Sequence, residues 1–96
     1  MKTRTIISNN DGKLDFSSRF EVAQHIILQN FWEYYVEEPD SNGITFGFVM
    51  GFENEWGSVD LNELKPYILT SAKGTALDEV MPPAGYCWED EVTETA

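Results

Sequence analysis

His25 and Cys87 are the single histidine and the single cysteine of this sequence, two residue types that often act as base and nucleophile. Nucleophilic catalysis needs a base and an orienting group that converge on a serine or cysteine, and the sequence shows no recognisable set of this kind. We interpret Cys87, between Tyr86 and Trp88, as a partly buried structural thiol. His25 falls on the polar face of a predicted helix. We therefore predict no catalytic residues and a protein that is not an enzyme.

The segment from Glu38 to Gly43 is the nearest approach to a metal-binding motif. Its alternating oxygen-bearing side chains before a glycine imitate the first half of an EF-hand loop. The twelfth position of such a loop would be Val49 instead of a bidentate glutamate. We interpret the segment as a tight turn whose Asp and Asn side chains bond their own backbone. The run Glu89-Asp90-Glu91 is interpreted as a solvated charge run, and neither a metal nor a cofactor is expected.

The pattern of apolar residues and turn signals along the sequence predicts an α+β protein, with one main helix packed on an antiparallel sheet of four or five strands. Ser18 and Glu21 have the spacing of a capping box, and apolar residues recur at helical spacing from Phe20 to Phe31. A helix is therefore predicted over residues 18–30. Residues 1–91 are expected to form a single domain, followed by a flexible acidic tail over 92–96.

The strands are predicted from alternating apolar residues and from turn signals. An Asp-Gly pair joins a first hairpin, and a second capping box begins a short helix at Asp60 that ends near Lys65. Ile44 to Phe52 alternates most strictly, with Gly47 and Gly51 on the side opposite the large residues, where backbone can approach closely. The predicted strands cover residues 3–8, 14–16, 31–37, 44–52 and 55–59, and residues 67–69 and 86–88 are weaker candidates for further strands.

Charge is the least ordinary property of the sequence. Seventeen acidic residues stand against six basic ones, for a formal net charge of -11, and four of the six bases lie in the first 19 residues. Such a surface repels nucleic acid and anionic membranes and attracts basic proteins. No apolar stretch approaches the roughly 20 residues needed to cross a bilayer, and the N-terminus lacks a signal-peptide pattern. A cytoplasmic location is expected.

Residues 45–64, TFGFVMGFENEWGSVDLNEL, contain a recognisable local pattern. It consists of an aromatic-Gly pair, a Val, Gly-Phe-Glu-x-Glu, an apolar residue, Gly and Leu-x-Glu-Leu. A weaker match extends back to Tyr34. The pattern resembles a family of uncharacterised small proteins of conjugative plasmids and other mobile elements. The resemblance implies a mobile-element setting and no mechanism.

Charge and setting together predict an acidic inhibitor that occupies the basic groove of a host DNA-handling protein, as a DNA mimic of the anti-restriction or anti-CRISPR kind. Carboxylates two residues apart on a strand are separated by about 6.7 Å, close to the spacing of successive phosphates. The alternative is a small protein–protein interaction module that binds through Trp56, Tyr35 or Trp88. The oligomeric state stays open. The predicted partner-binding residues are Glu33, Glu37, Glu38, Asp40, Glu53, Glu55, Asp60 and Glu63.

Overall fold

The computed structural model describes residues 2–92, most of which lie in β-strands. Within this range the one α-helical segment is α1, Leu61–Leu64, and 3₁₀ turns cover Lys65–Tyr67, Gly74–Glu79 and Glu89–Glu91. The strands are β1 (Arg4–Asn10), β2 (Lys13–Val22), β3 (Gln24–Leu28), β4 (Glu33–Val36), β5 (Ile44–Met50), β6 (Asn54–Asp60), β7 (Ile68–Lys73) and β8 (Tyr86–Trp88). They form two antiparallel sheets, of order β2-β1-β8 and β6-β5-β4-β3-β7.

The prediction of an α+β fold with one main helix on a sheet is wrong, because residues 18–30 form the end of β2 and all of β3. Five consecutive residues, 22–26, are buried, as in a strand that is covered on both faces. Apolar periodicity cannot separate such a run from a buried helix. Ser18, the expected helix cap, instead donates to the Asp15 carbonyl oxygen at 2.6 Å and accepts from the Ser8 N–H at 2.7 Å.

The five-stranded sheet forms the middle layer of the molecule. The core on its inner face, toward the three-stranded sheet, consists of Ile6, Val22, Tyr35, Phe48, Leu77 and Trp88. A second core on the outer face contains Ile26, Leu28, Tyr34, Val36 and Val59, and the side chains of Leu61, Leu64 and Ile68 pack against it. Packing on both faces explains why β3 and β4 are the most completely buried strands of the described residues.

Several local predictions are confirmed. The first hairpin turns at Asp11 and Gly12, whose φ angles of 52° and 85° are those of a mirror-image turn that follows the strand twist. The Asp60 carboxylate accepts from the Asn62 N–H at 3.0 Å and begins α1, which ends before Lys65 as predicted. The expected strands near residues 33, 44, 55, 68 and 86 are all present.

Asp90 and Glu91 are more than half exposed, as expected of a solvated charge run, but the run Glu89-Asp90-Glu91 is not free of the fold. These residues form a 3₁₀ turn that is attached to β1, because the Arg4 guanidinium donates to Asp90 at 2.6 Å and to Glu91 at 2.9 Å. Val92 follows the turn as its C-terminal cap. The remainder of the predicted acidic tail, residues 93–96, lies outside the described residues.

Candidate functional site

Positive and negative charges are separated along the chain and in the fold. The segment between Arg19 and Lys65 contains nine acidic residues and no lysine or arginine. Within residues 2–92, lysine and arginine of the first 19 residues pair with acids of the 3₁₀ turns. These pairs are Lys2 with Asp78, Arg4 with Asp78, Asp90 and Glu91, and Arg19 with Glu89. The basic residues near the N-terminus therefore neutralise acids near the C-terminus.

None of the eight predicted partner-binding carboxylates forms an ion pair with lysine or arginine in the part of the chain that the structure describes. Five of them, Glu37, Glu38, Asp40, Asp60 and Glu63, lie where the β4–β5 turn meets the start of α1. We call this group the acidic end. Like charges this close repel one another unless a partner neutralises them.

Hydrogen bonds to backbone groups hold the acidic end together. The Leu61 N–H donates to the Gly43 carbonyl oxygen at 2.9 Å, and the Asn62 side-chain amide donates to the Asn42 carbonyl oxygen at 2.9 Å. Asp40 Oδ1 accepts from the backbone N–H groups of Asn42 at 2.8 Å and Ile44 at 3.0 Å. The turn interpretation of this segment is thereby confirmed for Asp40, whereas Asn42 takes part through its backbone groups. Asp40 and Asp60 thus shape the acidic end, whereas Glu37, Glu38 and Glu63 are exposed and form no side-chain hydrogen bond within residues 2–92.

The other three predicted carboxylates lie at the opposite end of β5. Glu33 and Glu55 are in register with Met50 and Val49, whereas Ile44 begins the strand beside the acidic end. The two groups are six residues apart along β5, a distance of about 20 Å. Glu53 precedes β6, so that it does not lie on the same strand as Glu55. The eight carboxylates therefore form one group of five and a distant group of three.

Glu33 belongs to a polar cluster with His25 and Tyr35. Glu33 Oε1 lies 2.9 Å from His25 Nε2 and 3.4 Å from the Tyr35 hydroxyl, which donates to the Met81 carbonyl oxygen at 2.8 Å. Burial and the Glu33 charge raise the pKa of Tyr35. The cluster connects β3, β4 and the segment after the 3₁₀ turn that ends at Glu79. His25 is buried here, not on a polar helix face as predicted.

Beside this cluster is a cavity of about 400 Å³ with mainly apolar walls, among them Ile27, Ala72 and Val80. A catalytic triad would add a serine or cysteine nucleophile at the free side of the His25 ring. Cys87, the single cysteine, is on β8 in the other sheet, paired with Ile7. Thr70 and Ser71 also line the cavity, but within residues 2–92 the side-chain hydrogen bond of His25 is the one to Glu33, which ties β3 to β4.

Cys87 is expected to alkylate slowly in the folded protein. Burial, together with the negative charge of Glu91, raises the pKa of its thiol, so that little reactive thiolate exists near neutral pH. We expect iodoacetamide to modify the native protein at pH 7.5 about tenfold more slowly than the urea-unfolded chain. Mass spectrometry of timed samples measures both rates. Equal rates would show that Cys87 is an accessible, ordinary thiol.

The inner face of β5 and β6 carries a second surface that the sequence did not reveal. Ile44, Phe46 and Trp56 share this face, and 38%, 41% and 37% of their surfaces are exposed. We call these three residues the aromatic strip. Of the aromatic residues proposed for an interaction module, Tyr35 and Trp88 are almost completely buried, and Trp56 alone reaches the surface. The alternation along β5 does place Phe46 on the same face as Phe48, but only the fold shows that the three-stranded sheet covers Phe46 incompletely.

Fold and surfaces together define a small antiparallel β protein of two stacked sheets, with an uncompensated acidic end and an adjacent aromatic strip. No protein-family model, curated protein or solved structure matches this chain. Within residues 2–92, His, Cys, Asp and Glu side chains nowhere group in threes that could hold a metal ion. In the same range no helix has the length and apolar character to span a membrane.

Proposed function

We propose that the protein is a non-enzymatic inhibitor that inserts its acidic end into the basic groove of a host DNA-handling protein, such as a restriction or CRISPR nuclease, in place of DNA. The observation that carries this proposal is the absence of lysine or arginine partners, within residues 2–92, for the five carboxylates of the acidic end. By contrast, four of the five acids in the 3₁₀ turns are paired with lysine or arginine. A basic groove would supply the missing positive charge.

Rigidity supports the same proposal. The turn and the start of α1 are joined by the hydrogen bonds from Leu61 and Asn62, so that the carboxylates are held in position before a partner arrives. A preorganised surface loses less conformational entropy on binding than a flexible acidic tail. The resemblance of residues 45–64 to proteins of mobile elements supplies the setting, because such elements benefit from blocking host nucleases.

The test is affinity capture from a bacterial lysate with the tagged protein, at low and at high salt, followed by mass spectrometry. We expect a DNA-handling protein that is released by high salt and by added duplex DNA, since charge attraction between exposed groups is screened by salt. Capture of a protein that neither salt nor DNA displaces would contradict the proposal.

Charge reversal of Glu37, Glu38 and Glu63 to lysine should lower affinity for the captured partner by about a hundredfold. Each exposed carboxylate contributes about 1 kcal/mol or less, and three act together. The matched control reverses Glu53, Glu55 and Glu79, which changes the net charge equally but leaves the acidic end intact. Binding is measured by calorimetry at one salt concentration. Equal losses in the two variants would show that total charge, not the acidic end, attracts the partner.

A second candidate function is an interaction module that binds mainly through apolar contact. The exposure of Phe46 and Trp56 favours it, because aromatic residues are enriched at protein interfaces. Salt discriminates the two functions, since an apolar interface keeps its affinity as ionic strength rises. Salt-resistant capture that Trp56→Ala abolishes would support this second function.

A further inference from the structure

The aromatic strip has the geometry of a platform for a flat side chain. The Phe46 and Trp56 rings are nearly parallel, with 14° between their planes and 5.9 Å between their centroids. The Trp56 indole N–H donates to the Tyr86 hydroxyl at 3.2 Å, which fixes the ring. Phe20, from the three-stranded sheet, makes a T-shaped contact with each of the two rings. The platform is thus held rigidly, while more than a third of each ring residue stays exposed.

Two carboxylates of the acidic end stand on either side of the platform, on the same face of the sheet. The Glu37 N–H donates to the Phe46 carbonyl oxygen at 3.1 Å, which places Glu37 directly across from Phe46. Asp60 is in register with Ile44, at the other margin of the strip. Cβ atoms of residues that face each other across two strands are about 5 Å apart. One Asp60 oxygen caps α1, and the other remains available.

This combination of rings and carboxylates favours a partner side chain that is both flat and positively charged. An exposed apolar surface alone would suit an apolar partner, but here the surface adjoins the acidic end, in a segment that contains no lysine or arginine. Of the protein side chains, arginine fits such a surface best, because its planar guanidinium stacks on aromatic rings and its N–H groups bond carboxylates. Lysine offers a compact charge that cannot stack in the same way.

We propose that the aromatic strip receives an arginine side chain of a basic partner protein, with the guanidinium stacked on the exposed side of the Phe46–Trp56 ring pair and bonded to Glu37 and Asp60. This inference rests on the function proposed above and narrows it, since the acidic end attracts the basic groove and the strip recognises one arginine within it. Arginine is also the residue that DNA-binding grooves use most often to contact bases and phosphates.

The chain contains an internal example of the same arrangement. The Arg4 guanidinium lies 4.2 Å from the centroid of the Trp88 ring and bonds the carboxylates of Asp90 and Glu91. Stacking and paired carboxylates thus hold an arginine in the core between the sheets. The aromatic strip presents the corresponding groups to solvent, where an arginine from outside the chain can reach them.

The test compares two short synthetic peptides of equal length and charge, one alternating glycine with arginine and the other glycine with lysine. Calorimetry at low salt measures their binding to the full chain. We expect the arginine peptide to bind the wild-type protein about three- to fivefold more tightly than the lysine peptide. Phe46→Ala and Trp56→Ala should each lower arginine-peptide affinity to the level of the lysine peptide.

Phe52→Ala is the matched control, because Phe52 is a fully exposed aromatic residue outside the strip. It should keep the arginine preference. Far-UV circular dichroism verifies that the variants fold. If Trp56→Ala is unstable, the test rests on Phe46→Ala, which removes the more exposed of the two rings. An arginine preference that survives Phe46→Ala would overturn the inference, since arginine would then be recognised elsewhere.

The remaining outcomes separate this inference from the proposed function. Equal affinity of the wild-type protein for both peptides would overturn the arginine site and leave the acidic function standing. Failure of both peptides to bind would contradict the proposal that the acidic end binds basic partners. It would contradict the arginine site as well. The triple variant Glu37→Lys, Glu38→Lys and Glu63→Lys should bind neither peptide.

Discussion

Replacement of Gly47 by alanine is expected to lower the free energy of unfolding by about 3 kcal/mol or more. A Cβ atom at this position would lie 2.7 Å from Val36 Cα and 2.9 Å from the Tyr35 carbonyl carbon, and closer still to the Tyr35 carbonyl oxygen. These are backbone atoms of β4, the middle strand of the five-stranded sheet. Cores press on both faces of β4, so that it cannot move away.

Gly57→Ala is the matched control for this substitution. Gly57 is in register with Gly47 on the edge strand β6, and a Cβ atom there would meet nothing within 4 Å. Alanine at position 57 should change stability by less than about 1 kcal/mol and could even increase it, because it reduces the freedom of the unfolded chain. Urea titration followed by circular dichroism measures both variants. Similar losses in the two would show that β4 and β5 adjust to a side chain at position 47.

Arg4→Ala should destabilise the protein by about 2 kcal/mol. The buried Arg4 guanidinium donates to the Leu77 carbonyl oxygen at 3.0 Å, bonds Asp90 and Glu91, and stacks on Trp88. Its removal leaves the Leu77 carbonyl without this partner and loses packing in the core. The two carboxylates are more than half exposed, so that water screens much of their unpaired charge.

Arg19→Ala is the comparison, because Arg19 pairs with Glu89 at the surface and should contribute less than about 1 kcal/mol. Thermal unfolding at neutral pH measures both variants. A similar loss from both would show that exposed pairing, not the buried site of Arg4, holds the two 3₁₀ turns to β1.

The pH dependence gives a second signature of the Arg4 site. The hydrogen bond and charge of Arg4 hold the pKa of Asp90 below its ordinary value of 3.8. A carboxylate with a depressed pKa stabilises the fold above its unfolded-state pKa, and this contribution is lost as the pH falls through the folded-state pKa. The stability difference between wild type and Arg4→Ala should therefore be smaller at pH 2 to 3 than at pH 7.

The candidate site was predicted in part. Composition alone predicts a protein that attracts basic partners, and all eight carboxylates proposed for binding lack lysine or arginine partners within residues 2–92. Which of them act together depends on strand register, because the β4–β5 turn and α1 meet only after β5 pairs with β6. Nothing in the sequence distinguishes Glu33, which is hydrogen-bonded to His25, from Glu37, which is exposed and has no such bond.

Local structure follows from local chemistry. Asp11-Gly12 turns the first hairpin because an aspartate and a glycine tolerate positive φ angles, and Asp60 begins α1 because its carboxylate accepts a free helix N–H. These interactions join residues within a few positions of one another, so that the sequence alone determined them. The strict alternation of β5 likewise determined which of its residues share a face.

The tertiary structure alone decided how residues 18–30 fold and which aromatic residues reach the surface. Phe20, Ala23 and Ile26 are spaced for a helix, but Val22 to Ile26 are buried without interruption because the chain passes from one sheet into the middle of another. Phe46 and Phe48 have the same local pattern, yet only Phe48 lies fully under the three-stranded sheet. The sequence determined the turns and the charge, whereas contacts between distant strands decided burial, because burial depends on what covers a residue.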